Sequence, residues 1–207
     1  MNVELLTALI GFAFVMSITP GPNTMMLLAS GVNHGFRATV PLIVGVCVGV
    51  LVMLLAVGLG VGQLFARLPW LYTALKLFSV VYLLWLSWKI ATASPASSIG
   101  EGAPRVFTFA EGVGLQWVNP KAWTLCLTVA TAYTLPDQYA ASMLAAALVF
   151  AAVNVPSVIV WALFGVSLRR FLQDPVRVRL FNGAMALALV ASLSPLVLEL
   201  ARAAKLL

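Results

Sequence analysis

Two short runs hold the residues of this chain best suited to chemistry on a small polar solute: Thr19-Pro20-Gly21-Pro22-Asn23, and Gln116 with Asn119-Pro120-Lys121. Both interrupt long apolar stretches. Proline lacks the N–H and clashes with the preceding turn, so it breaks or kinks a helix and releases the carbonyl four residues earlier. Pro20, Pro22 and Pro120 would free the carbonyls of Met16, Ile18 and Gln116, and Pro156 and Pro195 those of Ala152 and Ala191. Freed carbonyls accept hydrogen bonds from an ammonium or coordinate a cation. A helix restarting at Pro22 or Pro120 offers unpaired N–H groups and a positive dipole end to an anion. Together these groups suit a zwitterion such as an amino acid, with other small polar solutes as alternatives. A purely structural kink is the competing reading of each break.

Lys121 lies near the middle of an apolar segment, where a charge is costly and usually faces a cavity or a partner. It is expected to act as a carboxylate ligand or coupling group, or else to snorkel or pair with Glu111. Lys76 lies nearer its segment end, where snorkelling is favoured. Asn154, two residues before Pro156, could serve a neighbouring helix or the solute. The candidate substrate-binding set is therefore Thr19, Gly21, Asn23, Gln116, Asn119, Lys121 and Asn154, with helix breaks at Pro20, Pro22, Pro120 and Pro156.

The elements that must position these residues are apolar spans. Charged residues make up 9% of the 207-residue chain and hydrophobic ones 62%, against about 25% charged in soluble domains. A spanning helix needs about 20 apolar residues, and six segments qualify: roughly 3–30, 38–66, 68–90, 107–134, 139–168 and 178–203. Asn33-His34-Gly35, Pro69, the polar stretch from Ser94-Pro95 through Pro104, Pro136-Asp137 and Asp174-Pro175 punctuate them. Trp70, Tyr72, Trp85 and Trp88 flank the third as an interfacial belt. The expectation is an all-α membrane protein of one domain, residues 1–207. Its six transmembrane helices would form two inverted three-helix repeats, about 1–95 and 105–207, with helices 1 and 4 broken. Binding between inverted repeats near the midplane is the common arrangement of secondary transporters.

The net charge of +6 does not point to nucleic acid, because the basic residues are scattered between spans. Arg37, Lys89, Arg105, Arg169, Arg170, Arg177 and Arg179 fall on one side, Arg67, Arg202 and Lys205 on the other. The positive-inside rule puts the first set in the cytoplasm and both termini in the periplasm. Glu4 with no nearby Lys or Arg argues against a cleaved signal peptide. Cys47 and Cys126 read as small buried hydrophobes, and Gly45/Gly49 and Gly58/Gly62 as close-packing pairs. No metal site or cofactor is expected. There is no phosphate-binding glycine loop, no HExxH and no nucleophile motif, so neither an enzyme nor direct ATP use is expected. An ion channel and a membrane scaffold remain as other classes, a homo-oligomer is compatible with all of them, and the expected partners are a small amino acid and the lipid bilayer.

With Ser17-Ile18-Thr19-Pro20-Gly21-Pro22-Asn23, His34-Gly35-Phe36-Arg37, Tyr82 to Lys89 and Gln116-Trp117-Val118-Asn119-Pro120-Lys121-Ala122, the chain resembles the LysE/RhtB family of bacterial amino-acid exporters. The resemblance covers nearly the whole length. It implies efflux of amino acids across the inner membrane by proton antiport. Many family members carry an aspartate after the second-span glycine pair; here Gly49 is followed by Val50. That departure, with Trp88-Lys89-Ile90-Ala91-Thr92, resembles the cysteine/O-acetylserine exporter branch and implies a small neutral substrate.

Overall fold

A computed structural model describes residues 1–92, 106–169, 172, 174–194, 196–198 and 200. The polar stretch from Ser94 through Pro104, Arg105, Arg170, Pro195, Arg202 and Lys205 lie outside the described residues, as does the Tyr72 side chain. Among the described residues all regular structure is helical.

Helix α1 (Val3–Ile18) starts where the Asn2 side chain accepts the Leu5 N–H at 2.9 Å. It stops before Pro20, and α2 (Pro22–His34) resumes at a bend of 51°. Gly35 ends α2 with φ +80°, a conformation that favours glycine, and lets α3 (Phe36–Ala56) fold straight back. A five-residue π-helical turn, Val57–Val61, follows, with Gly60 at φ +105°. It leads into the short α4 (Gly62–Arg67) and then α5 (Pro69–Ala91). Thr108 and Glu111 cap α6 (Phe109–Trp117) reciprocally: the Thr108 hydroxyl accepts the Glu111 N–H, and the Glu111 carboxylate accepts the Thr108 N–H at 2.8 Å. After Val118 and Asn119 comes α7 (Pro120–Ala132), then a 3₁₀ turn at Pro136–Gln138, α8 (Tyr139–Arg169) and α9 (Pro175–Ala191).

Among the described residues four helical stretches are long and apolar enough to cross a membrane: Phe36–Leu64, Thr73–Ala91, Pro136–Arg169 and Val176–Leu198; the bent α1–α2 pair, taken as one span, would be a fifth. The fourth segment is broken, as expected, but its pieces are too short to cross singly. It divides into α6 and α7, of 9 and 13 residues. At 1.5 Å per residue these reach about 14 and 20 Å, each short of a roughly 30 Å hydrocarbon core. Pro156 is a correction, because α8 runs unbroken from Tyr139 to Arg169 around it. Its ring lies on an exposed face, and the helix does not open there. Another concerns the Gln116 carbonyl. It accepts the Asn119 N–H at 3.2 Å and is not left free.

Packing sorts the helices. α8 lies along α1 and α2, α3 lies along α6 and α7, and α5 packs on α9. Glycines permit two backbone-to-backbone contacts. A Cβ added at Gly31 would sit 2.4 Å from the Ala162 carbonyl, and one at Gly165 would sit 2.3 Å from that of Leu28. Likewise a Cβ at Gly45 would lie 2.3 Å from the Phe109 carbonyl. Gly49, Gly58 and Gly62 also meet neighbours closely, against Gln116, Met143 and Leu127. The Gly31/Gly165 and Gly45/Phe109 contacts bring the α2–α3 turn, the start of α6 and the end of α8 to one end of the bundle. That end carries Arg37, Lys89, Arg169, Arg177 and Arg179; the other carries Glu4, Arg67 and Asp137.

Two apolar clusters fill the interior. Toward the chain-start end, Leu9, Met53, Leu54, Cys126, Val129 and Phe150 pack together. The second joins Leu27, Leu42, Leu83, Leu86, Leu115 and Leu189. Leu59, Leu180 and Leu187 are at least 70% exposed, as lipid-facing side chains of a spanning bundle would be. Trp70, Trp85 and Trp88 are also exposed, and the Lys89 ammonium stands 4.3 Å from the centre of a Trp85 ring.

Candidate functional site

Between the two apolar clusters lies a polar layer, and both interruptions contribute to it. At the first, the chain leaves helical geometry between Ile18 and Pro22. Gly21 adopts an extended conformation (φ −176°), and its N–H donates to the Thr24 hydroxyl at 2.8 Å. At the second, the Asn119 side chain caps α7 by accepting the Lys121 N–H at 3.0 Å. Proline at the first position of both α2 and α7 costs nothing there, since that N–H would be unpaired anyway.

The two runs meet. Asn23 and Gln116 form a reciprocal amide pair: Asn23 Nδ2 donates to Gln116 Oε1 at 2.9 Å, and Gln116 Nε2 donates back to Asn23 Oδ1 at 3.1 Å. Gln116 is fully buried and also donates to the Gly112 carbonyl at 3.0 Å. Asn119 Nδ2 approaches Asn23 Oδ1 at 3.4 Å. The Lys121 ammonium crosses to the other break and donates to the Thr19 carbonyl at 2.8 Å. Its aliphatic stem covers Gly21, where an added Cβ would lie 3.1 Å from Lys121 Cδ. Glycine lets the stem lie close against the backbone here. The anticipated pairing of Lys121 with Glu111 is not what forms, since the Glu111 carboxylate caps its own helix.

The carbonyl that Lys121 takes, Thr19, is not one of those that the prolines would free. Helix α1 has already ended there: the Thr19 N–H closes the last turn onto Val15, and the Thr19 hydroxyl also donates to the Val15 carbonyl.

Asn154 reaches the same layer from α8, where Ser17 Oγ donates to its Oδ1 at 3.1 Å. Ser17, Asn23, Asn119, Lys121 and Asn154 surround a cavity of about 30 Å³, closed by Val50, Leu125 and Phe150. One water needs roughly 10–15 Å³ on this measure, so an amino acid would enter only with movement of the walls. Thr19, Gly21, Asn119 and Lys121 also border a second, larger cavity of about 370 Å³ toward α5 and α9. Every candidate polar residue thus borders or supports one of these two adjacent cavities, with Gln116 behind them as a buried brace. Ser17, Thr24 and Phe150 were not singled out from sequence. Phe150 lies one turn before Asn154 on the same helix face, which was a usable signal.

Residues 14–193 match the family described as LysE type translocator. The chain belongs to that family. Among the curated relatives of this translocator is the cysteine/O-acetylserine efflux protein of Escherichia coli strain K12. The two are 32% identical over 192 residues, covering 92% of this chain and 96% of the relative. The protein of the same name from Salmonella typhimurium strain LT2 is 31% identical over 167 residues, 80% of this chain and 84% of the relative. That of Klebsiella pneumoniae is 29% identical over 171 residues, with the same coverage. No solved structure matches the translocator chain.

Proposed function

We propose that this translocator exports small neutral amino acids of the cysteine/O-acetylserine kind across the bacterial inner membrane by proton antiport. One observation carries the reading: two helix breaks, about a hundred residues apart in sequence, meet around a small polar cavity through Asn23–Gln116 and Lys121–Thr19. Unwound backbone at membrane depth is tolerated only where protein or a wet cavity covers it. The Thr19 carbonyl suits a substrate ammonium, and the Lys121 ammonium a substrate carboxylate. With Val50 in its wall, the small cavity has no acid among its described lining residues to hold a second positive charge, which favours neutral over cationic substrates. The names of the relatives point to the same substrate class.

The architecture proposed with this function is six spans in two inverted repeats, with α6 and α7 together as the fourth span. The packing supports it. Each broken span lies on the second span of the other half, and the two third spans, α5 and α9, pack on each other. That is the exchange a pseudo-twofold axis in the membrane plane produces. The basic end of the bundle is placed in the cytoplasm and both termini in the periplasm. Efflux of labelled O-acetylserine from proteoliposomes under an imposed pH gradient tests the reading. Absence of gradient-dependent flux for O-acetylserine, cysteine, threonine, homoserine and leucine alike would reject it, and would favour a scaffold or channel.

A further inference from the structure

The two cavities share one thin wall. Thr19, Gly21, Pro22, Asn119 and Lys121 border both, and the Lys121 side chain lies across the division. Its Cδ packs over Gly21 and its ammonium is tied to the Thr19 carbonyl at 2.8 Å. On one side is the small polar cavity of about 30 Å³; on the other is a space of about 370 Å³. The larger volume is in the range of a small-molecule site, roughly 300–1,000 Å³.

The walls of the larger cavity have a consistent address. Lys76 lies in the first third of α5, Thr124 lies in α7 beyond the break, and Ser192 and Ser194 follow α9. All belong to the end of the bundle opposite the α2–α3 turn. At the α2–α3 end, helices touch backbone to backbone at Gly31/Gly165 and Gly45/Phe109. Backbone contacts of that kind leave no side chain that can swing aside to make a passage. The large cavity therefore offers the open side, and a flexible lysine stands at its inner door.

Lys121 occupies the place an incoming ammonium would take at Thr19. We infer that the α5–α9 cavity is the exit vestibule for the exported amino acid, and that the Lys121 side chain is the gate into it. The inference rests on the export reading above. Loading exchanges partners without making or breaking covalent bonds. The substrate ammonium takes the Thr19 carbonyl, the released lysine ammonium takes the substrate carboxylate, and the side chain swings off Gly21. The two cavities then join, and the hydroxyls of Thr124, Ser192 and Ser194 line the way out.

Modification inside the assembled protein tests this without depending on the folding of a bulky variant. Thr124→Cys is reconstituted, and a membrane-impermeant sulfonate methanethiosulfonate is applied from the face bearing the chain ends. O-acetylserine is the substrate, since cysteine would consume the reagent. The wild type, with its native Cys47 and Cys126, is the control for modification elsewhere. Export by modified Thr124→Cys is expected to fall to the level of empty liposomes, relative to the same protein before modification. Added O-acetylserine is expected to slow the labelling. Complete modification by intact mass with undiminished export would overturn the vestibule; so would failure to label in the membrane a site that labels once denatured. If Thr124→Cys does not fold, Ser194→Cys on the facing wall carries the same outcomes. A wild type that exports no amino acid removes the export reading itself, whereas a competent exporter indifferent to modification removes only the vestibule.

Discussion

Replacing Lys121 with methionine keeps most of the side-chain length and its cover over Gly21 while deleting the ammonium. In the structure that ammonium makes a 2.8 Å charge-assisted hydrogen bond to the Thr19 carbonyl, an interaction class worth about 1.5–3 kcal/mol. For folding, two effects oppose each other. The Thr19 carbonyl loses its partner at a cost of about 1–3 kcal/mol if it stays dry, but a half-buried charge no longer has to be desolvated. A modest change in melting temperature is the expected sum. For transport nothing offsets the loss, because the group proposed to meet the substrate carboxylate has gone. A deficit of about 1.5–3 kcal/mol corresponds to about a 10- to 150-fold drop in transport efficiency at low substrate. The assay is initial O-acetylserine efflux from proteoliposomes at matched protein content, with a thermal melt of the purified protein beside it. Lys121→Arg restores the charge, but a planar, delocalised fork presents it in a different geometry, so it should rescue only in part. Lys121→Met with wild-type flux, or one that fails to fold while its folded fraction exports normally, would refute the reasoning and leave Lys121 a structural tether.

Other perturbations probe the supports. Asn23→Ala and Gln116→Ala should each cost about 1–3 kcal/mol by leaving a buried amide unpaired. Because the two side chains share both bonds, the double variant should cost less than the sum; strict additivity in denaturation midpoints would mean the pair is not coupled. Gly31→Ala and Gly45→Ala push a methyl to within 2.4 and 2.3 Å of backbone oxygen, which should destabilise by about 1–3 kcal/mol. Gly11→Ala and Gly114→Ala, with nothing within 4 Å of the added Cβ, should leave the melting temperature unchanged or raised. Val50→Asp places a carboxylate in the wall of the small cavity, and competition between O-acetylserine and lysine should shift toward the cation. A preference unmoved by that acid would take Val50 out of the substrate's reach.

Sequence alone determined the local breaks. Proline at 20, 22 and 120 cannot donate, and glycine at 21 and 35 removes the Cβ that would block close approach or positive φ, so the ends of α1, α2 and α6 follow from covalent chemistry. The same local rule overreached at Pro156. Whether a missing hydrogen bond opens a helix depends on what surrounds it, and α8 keeps its course with that ring on its exposed face. The rule named the carbonyls that a proline frees, Met16 and Ile18, and could not name Thr19, whose partner Lys121 comes from the other half of the chain. Tertiary structure decided which polar groups meet. Asn23 and Gln116 are 93 positions apart, and Lys121 and Thr19 are 102 apart. No periodicity of 3.6 residues carries information over such distances. Only the packing of α3 on α6 and of α8 on α2, through glycine contacts that admit one register, brings the two breaks to the same depth and sets a lysine between a cavity of about 30 Å³ and one of about 370 Å³.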